Sequence, residues 1–136
     1  MKTGAAILFI FLIFSAISAG QNPDSVKVRS IPPAEFLTAY QNSGSAMMID
    51  VREFFEYKKS RLKNAINLPS MGNLDIAADT IKKNNDLFFY CTSGFRSKRV
   101  AKFFYQKGFP NVYSLDGGIV AWRKEKLPVD KKKLKR

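Results

Sequence analysis

The chain has 136 residues, a formal net charge of +12 from 23 Lys and Arg against 11 Asp and Glu, one cysteine and no histidine. Without histidine there is no Ser-His-Asp triad, no Cys-His pair, no His-ligated metal and no general base titrating near neutrality, and a single cysteine closes no intramolecular disulfide and builds no cluster. Length and a hydrophobic content of 46% fit one packed domain, whose chemistry must run on the thiol, on carboxylates and phenols, or on cations and backbone dipoles.

Residues 1–20 begin with Lys2, continue through an uncharged apolar run from Ile7 to Phe14, and end in the small residues Ser15, Ala16, Ser18, Ala19 and Gly20. This order is the pattern of a signal peptide. A membrane-spanning helix needs roughly 20 apolar residues, so a retained anchor is the second reading. The expected organisation is a signal peptide over 1–20, cut after Ser18 or Gly20, and one domain over 21–136. The protein is then exported, to the periplasm or outside the cell.

The rest alternates between strand and helix signals. Val26-Lys27-Val28-Arg29 alternates apolar and charged side chains and predicts an edge strand. Pro33 suits a first helical position, with Phe36, Leu37 and Tyr40 on one face, and Asn42-Ser43-Gly44-Ser45 breaks that helix. Ala46 to Ile49 is a continuous apolar run ended by Asp50, as in a strand buried on both faces. A short helix is expected over Glu53 to Lys59 and a strand over Ala65 to Leu68, stopped by Pro69. Asn73 is the expected cap of a helix carrying Leu74, Ala77, Ala78 and Ile81. Leu87 to Tyr90 predicts the most apolar strand of the domain. A helix follows from about Phe95 to Lys107 with Gly108 beyond it, then a strand over Val112 to Leu115 and a last helix containing Trp122. This alternation predicts an α/β fold, a mostly parallel central sheet with helices on both faces and ligands gathering at the carboxyl ends of the strands.

The loop Cys91-Thr92-Ser93-Gly94-Phe95-Arg96-Ser97 is the most specific feature. A lone cysteine is most often a small buried hydrophobe. Cys91, however, follows its apolar run instead of lying within it, at the mouth of a helix, with Gly94 permitting a tight backbone cradle and Arg96, Lys98, Arg99 and Lys102 adding positive charge. Such surroundings favour a thiolate and an incoming anion. Magnitudes limit what thiolate formation can supply. For a thiol, a fall in pKa from about 8.5 to about 6.5 raises the thiolate fraction roughly 25-fold, and lost nucleophilicity takes back about 6- to 10-fold. The larger contribution expected of the loop is fixed N–H dipoles holding anionic groups on substrate and intermediate.

At this loop the sequence resembles the single-domain rhodaneses, the thiosulfate sulfurtransferases. Ordered matches carry the resemblance: Asp50-Val51-Arg52 with Glu56-Tyr57, Ala65 to Pro69, the loop CTSGFRS, Gly108 to Gly118, Ala121-Trp122 and Leu127-Pro128-Val129. The resemblance implies a rhodanese-like fold in which Cys91 is the nucleophile that holds a sulfane sulfur as a persulfide. It implies that Thr92, Ser93, Gly94, Phe95, Arg96 and Ser97 form the substrate cradle, with Arg96 steering the anion, and that Asp50 and Arg52 brace the region beneath. For Asp50 the alternative is a cap on the following helix; for Trp122 core packing is expected. Arg61 and Asn64 stand where the family commonly has His and Gly; Asn64 can still adopt a left-handed turn. Related phosphatases of this fold use Cys-x5-Arg and generally a His before the Cys, whereas here the spacing is Cys-x4-Arg and Tyr90 precedes Cys91. Sulfur transfer is therefore expected over phosphoryl transfer, with a persulfide carrier serving a partner protein as the other alternative.

The implied partners are a small anionic sulfur donor and a thiol or cyanide acceptor, with no metal or cofactor, no nucleic acid and a monomeric state. Segment 123–136, RKEKLPVDKKKLKR, holds eight basic and two acidic residues. A solvated, frayed tail is the first expectation for it, and weak contact with an anionic membrane the second.

Overall fold

The structure is a computed structural model that describes residues 28–134. The expected signal peptide, the first half of the alternating run 26–29 and residues 135–136 lie outside the described residues. In chain order the elements are β1 (Arg29–Ile31), α1 (Pro33–Asn42), β2 (Ala46–Asp50), α2 (Phe54–Lys59), β3 (Ile66–Asn67), α3 (Met71–Thr80), β4 (Asp86–Tyr90), α4 (Phe95–Gln106), β5 (Val112–Leu115) and α5 (Gly118–Lys124). The strands form one parallel sheet in the order β1-β5-β4-β2-β3.

The central strand explains the layering. Leu87, Phe88, Phe89 and Tyr90 are all fully buried, and their side chains alternate between the two faces. Leu87 and Phe89 pack with Leu74, Ala78, Val100 and Phe104 under α3 and α4. Phe88 and Tyr90 pack with Phe36, Ile119 and Trp122 under α1 and α5. Phe88 stacks on Tyr113 at 4.4 Å between ring centroids and meets the edges of Phe36 at 5.3 Å and Tyr40 at 5.5 Å. Burying a phenyl side chain stabilises by about 1.5–3 kcal/mol, which makes this strand the spine of both cores.

Three local expectations change. β1 lies later than its alternation placed it, because it pairs with β5 from Arg29 opposite Tyr113 to Ile31 opposite Leu115. The cap of α3 is Ser70, whose hydroxyl accepts from Asn73 N at 3.2 Å; Asn73 is the third helical residue, and the helix starts at Met71. The segment after α5 is held rather than frayed. Arg61 and Asp130 exchange backbone hydrogen bonds at 2.9 and 2.7 Å, Arg61 also donates to Lys132 O at 2.9 Å, and Trp122 Nε1 donates to Pro128 O at 3.0 Å. Arg61, which in the sequence stood out only as a departure from the family pattern, is thus the anchor of the basic tail. Asn64 takes the left-handed conformation expected of it, at φ 63°.

β2 leads to β3 and β4 leads to β5, in opposite directions along the sheet. The loops leaving these adjacent strands diverge, which opens a crevice at their carboxyl ends.

Candidate active site

Cys91 stands in that crevice, one residue past β4 and only 5% exposed. The pocket before it measures about 190 Å³ and is lined by Arg52 and Glu56 from the β2 side and by Cys91, Thr92, Ser93, Phe95 and Arg96 from the loop. Gly94 caps α4 with φ 92°, a turn that L side chains rarely adopt. Its N–H comes back to Cys91 Sγ at 3.1 Å, and Ser97 N reaches the same sulfur at 3.5 Å.

The second helix terminus explains why the loop N–H groups face inward. Ile119 N donates to Cys91 O at 2.9 Å and Val120 N to Thr92 O at 3.2 Å, so α5 draws these carbonyls away from the pocket. Gly117 and Gly118 both have positive φ, and Gly118 lies so close to the loop that a Cβ there would stand 2.6 Å from Cys91 O.

Asp50 and Arg52 form a buried unit below the loop. Arg52 Nη2 donates to Asp50 Oδ2 at 2.7 Å and to Ser60 O at 2.7 Å, and Arg52 Nε reaches both carboxylate oxygens at 3.1 Å. Asp50 also accepts from Arg52 N at 2.8 Å, which fits the bracing expectation and not its helix-capping alternative; the cap of α2 is Glu53. Burial acts to lower the Arg52 pKa, but the hydrogen bonds and charge of Asp50 more than offset it and the guanidinium is held above its ordinary range. Tyr90, under the guanidinium at 5.5 Å, accepts from Leu62 N at 3.0 Å. Burial, followed by the Asp50 charge, pushes its phenol well above the ordinary tyrosine range. A phenol raised in the folded state stabilises fully below the unfolded tyrosine pKa of about 10 and loses that contribution as pH rises toward its folded value. Stability is therefore expected to fall above about pH 10, and Tyr90→Phe to flatten that fall, as read from denaturant midpoints against pH.

Arg96 does not point its charge freely at the pocket. Its Nη1 donates to Val51 O at 2.9 Å and lies 3.6 Å from Glu53 Oε1, tying the loop to the segment after β2. Thr92 Oγ1 makes a second tie, donating to Glu56 Oε1 at 3.1 Å.

Two contributors had no site role among the sequence expectations. Glu56 entered only as part of a motif, yet it bridges α2 to the loop. Ser114, on β5, entered only as one position of the Gly108 to Gly118 match, with no role at the site. Cys91 Sγ lies 3.6 Å from Ser97 Oγ, which lies 3.2 Å from Gly94 O and 2.9 Å from Ser114 Oγ, with both serines fully buried. Ser97 has one hydroxyl proton. When Ser114 donates to Ser97, that proton is available to a negatively charged sulfur. Ser114→Ala is expected to slow alkylation of Cys91 by iodoacetamide about twofold at neutral pH while leaving the thermal midpoint within a few degrees. Equal alkylation rates would show that the pair is packing alone.

An all-parallel five-stranded sheet with helices on both faces, and a lone cysteine just past the end of its central strand, places the chain in one class of α/β domain. The chain belongs to the rhodanese-like domain family, which it matches over residues 33–125. A protein of Allochromatium vinosum named sulfurtransferase is 34% identical over 83 residues, covering 61% of this chain and 77% of its own. A tRNA uridine(34) hydroxylase of Hamiltonella defensa is 29% identical over 123 residues, 78% of this chain but 35% of that protein, so the chain spans about a third of that relative's length. A rhodanese-related protein of Thermoplasma volcanium superposes with a TM-score of 0.64 at 31% identity, over 76% of this chain and 99% of that one. The rhodanese-like domain of an Anabaena protein gives 0.66 at 19% identity, over 76% of this chain and 79% of that one, and supports the fold alone.

Proposed function

We propose that the domain is a sulfurtransferase that moves a sulfane sulfur from thiosulfate or a similar small anion to a thiol or cyanide through a Cys91 persulfide. The observation that carries the reading is Cys91 Sγ receiving the Gly94 and Ser97 amides at 3.1 and 3.5 Å in a pocket of about 190 Å³, room for a small oxyanion and little more. The Cys91 thiolate attacks the outer sulfur of thiosulfate. A new S–S bond forms as the old one breaks, and its electron pair leaves with sulfite. The acceptor thiolate or cyanide then attacks the outer persulfide sulfur and the Cys91 thiolate is regenerated. The loop amides hold negative charge at each stage, and Arg52 supplies the nearest buried cation beside the pocket.

Loading is read from intact mass before and after thiosulfate. The mass is expected to rise by one sulfur atom, to return on addition of cyanide, and to show neither change in Cys91→Ala. An alanine variant that still released sulfite would end this reading. The same spectrum reads the N-terminus and tests the proposal that residues 1–20 are removed on export to the periplasm or exterior.

A second reading, in which a partner protein exchanges sulfur with Cys91, is favoured by the exposed aromatic residues Phe54, Phe55 and Phe95, which are 54%, 71% and 73% accessible. Phe95 itself lines the Cys91 pocket. Persulfide loading equal to that of an efficient enzyme, with negligible turnover on cyanide or free thiols, would select this reading.

A further inference from the structure

A second cavity, of about 380 Å³, opens beside the Cys91 pocket between the start of α3 and the first three turns of α4. Its floor is apolar, built from Leu68, Leu74, Val100 and Phe103. Its rim carries two guanidinium groups, Arg96 and Arg99, which lie on one face of α4 by their three-residue spacing. No carboxylate lines it. Arg96 is engaged with Val51 O and Glu53, but among the described residues no carboxylate lies within ion-pair distance of Arg99, which is exposed. Arg96 also lines the Cys91 pocket, so the two spaces share a wall.

An apolar floor with cations at one end selects one chemistry. The volume falls within the range of small-molecule sites, and an inorganic oxyanion would leave most of the floor uncovered. We infer that this cavity binds a small amphiphilic organic anion, its carboxylate or sulfonate at Arg99 and its apolar body, of roughly six to ten carbons, over Leu74, Val100 and Phe103. The occupant's head group then lies beside Arg96, which also lines the Cys91 pocket. Binding needs no reaction at Cys91, so this site stands whether or not the domain transfers sulfur.

The test is a titration of the full chain with octanoate, acetate and octanol, followed by amide chemical shifts. Octanoate is expected to shift Leu74, Val100 and Phe103 and to saturate at least about tenfold below acetate, with octanol also weaker than octanoate. Arg99→Glu, an exposed change, is expected to weaken octanoate about fivefold or more. Met71→Glu places a like charge on the rim and is expected to weaken it as well. Cys91→Ala is expected to bind octanoate as the unchanged protein does, which separates this site from the persulfide reading. Octanoate binding no tighter than acetate, unaffected by Arg99→Glu, or shifting residues elsewhere would overturn the assignment.

Discussion

Replacing Gly118 by alanine is expected to destabilise the domain by about 3–5 kcal/mol and to abolish sulfur loading at the same time. The new Cβ would lie 2.6 Å from Cys91 O and against the Thr92 carbonyl. These are backbone atoms of the loop that carries Cys91, so no side-chain rotation relieves the clash. The residue also sits at φ 61°, where an L side chain costs roughly 1–2 kcal/mol. Relief requires α5 to back away, which breaks the hydrogen bonds from Ile119 N and Val120 N that hold the Cys91 and Thr92 carbonyls out of the pocket. At roughly 4–8 °C of thermal midpoint per kcal/mol for a domain of this size, the shift should exceed about 12 °C. A Gly118→Ala protein with a midpoint within about 2 °C of the original and unchanged mass gain from thiosulfate would refute the account.

Replacing Arg52 by methionine is expected to remove about 3–5 kcal/mol, because it leaves the fully buried Asp50 carboxylate without its counter-charge. Asp50→Asn alone strands the guanidinium in the same way. The double change Asp50→Asn with Arg52→Met should be milder than the sum of the two, since no buried charge is then left unpaired. Urea midpoints of the four proteins measure this coupling. Additivity of the two single changes would mean that the pair contributes nothing as a pair. Because Arg52 also lines the Cys91 pocket, Arg52→Met should slow sulfur loading even in the stabler double variant.

Both predictions concern residues whose types were visible in the chain and whose partners were not. Asp50-Val51-Arg52 stood out as a signature, but capping and bracing were equally open for Asp50 until the carboxylate was seen to take the Arg52 guanidinium from both sides. Gly118 was visible in the chain as the end of the Gly108 to Gly118 match, whereas the contact that makes it indispensable is with a loop well over twenty positions earlier.

What the sequence determined by itself is what depends on neighbours along the chain. The alternation of strand and helix follows from hydrophobic period. The cradle follows from a glycine three places after a cysteine at a helix mouth, and the turns follow from Asn64, Gly108 and Gly117 taking conformations their side chains permit. Tertiary structure decided what depends on pairing across distance. It set the strand order β1-β5-β4-β2-β3, the shift of β1 to match β5, the Arg61 bridge that holds the basic tail, and the arrival of Ser114 behind Ser97. Side-chain period and turn chemistry act over a few residues, while strand partners and buried hydrogen bonds are chosen by the packing of the whole core. The lone cysteine announced where chemistry could occur, and the folded sheet supplied the groups around it.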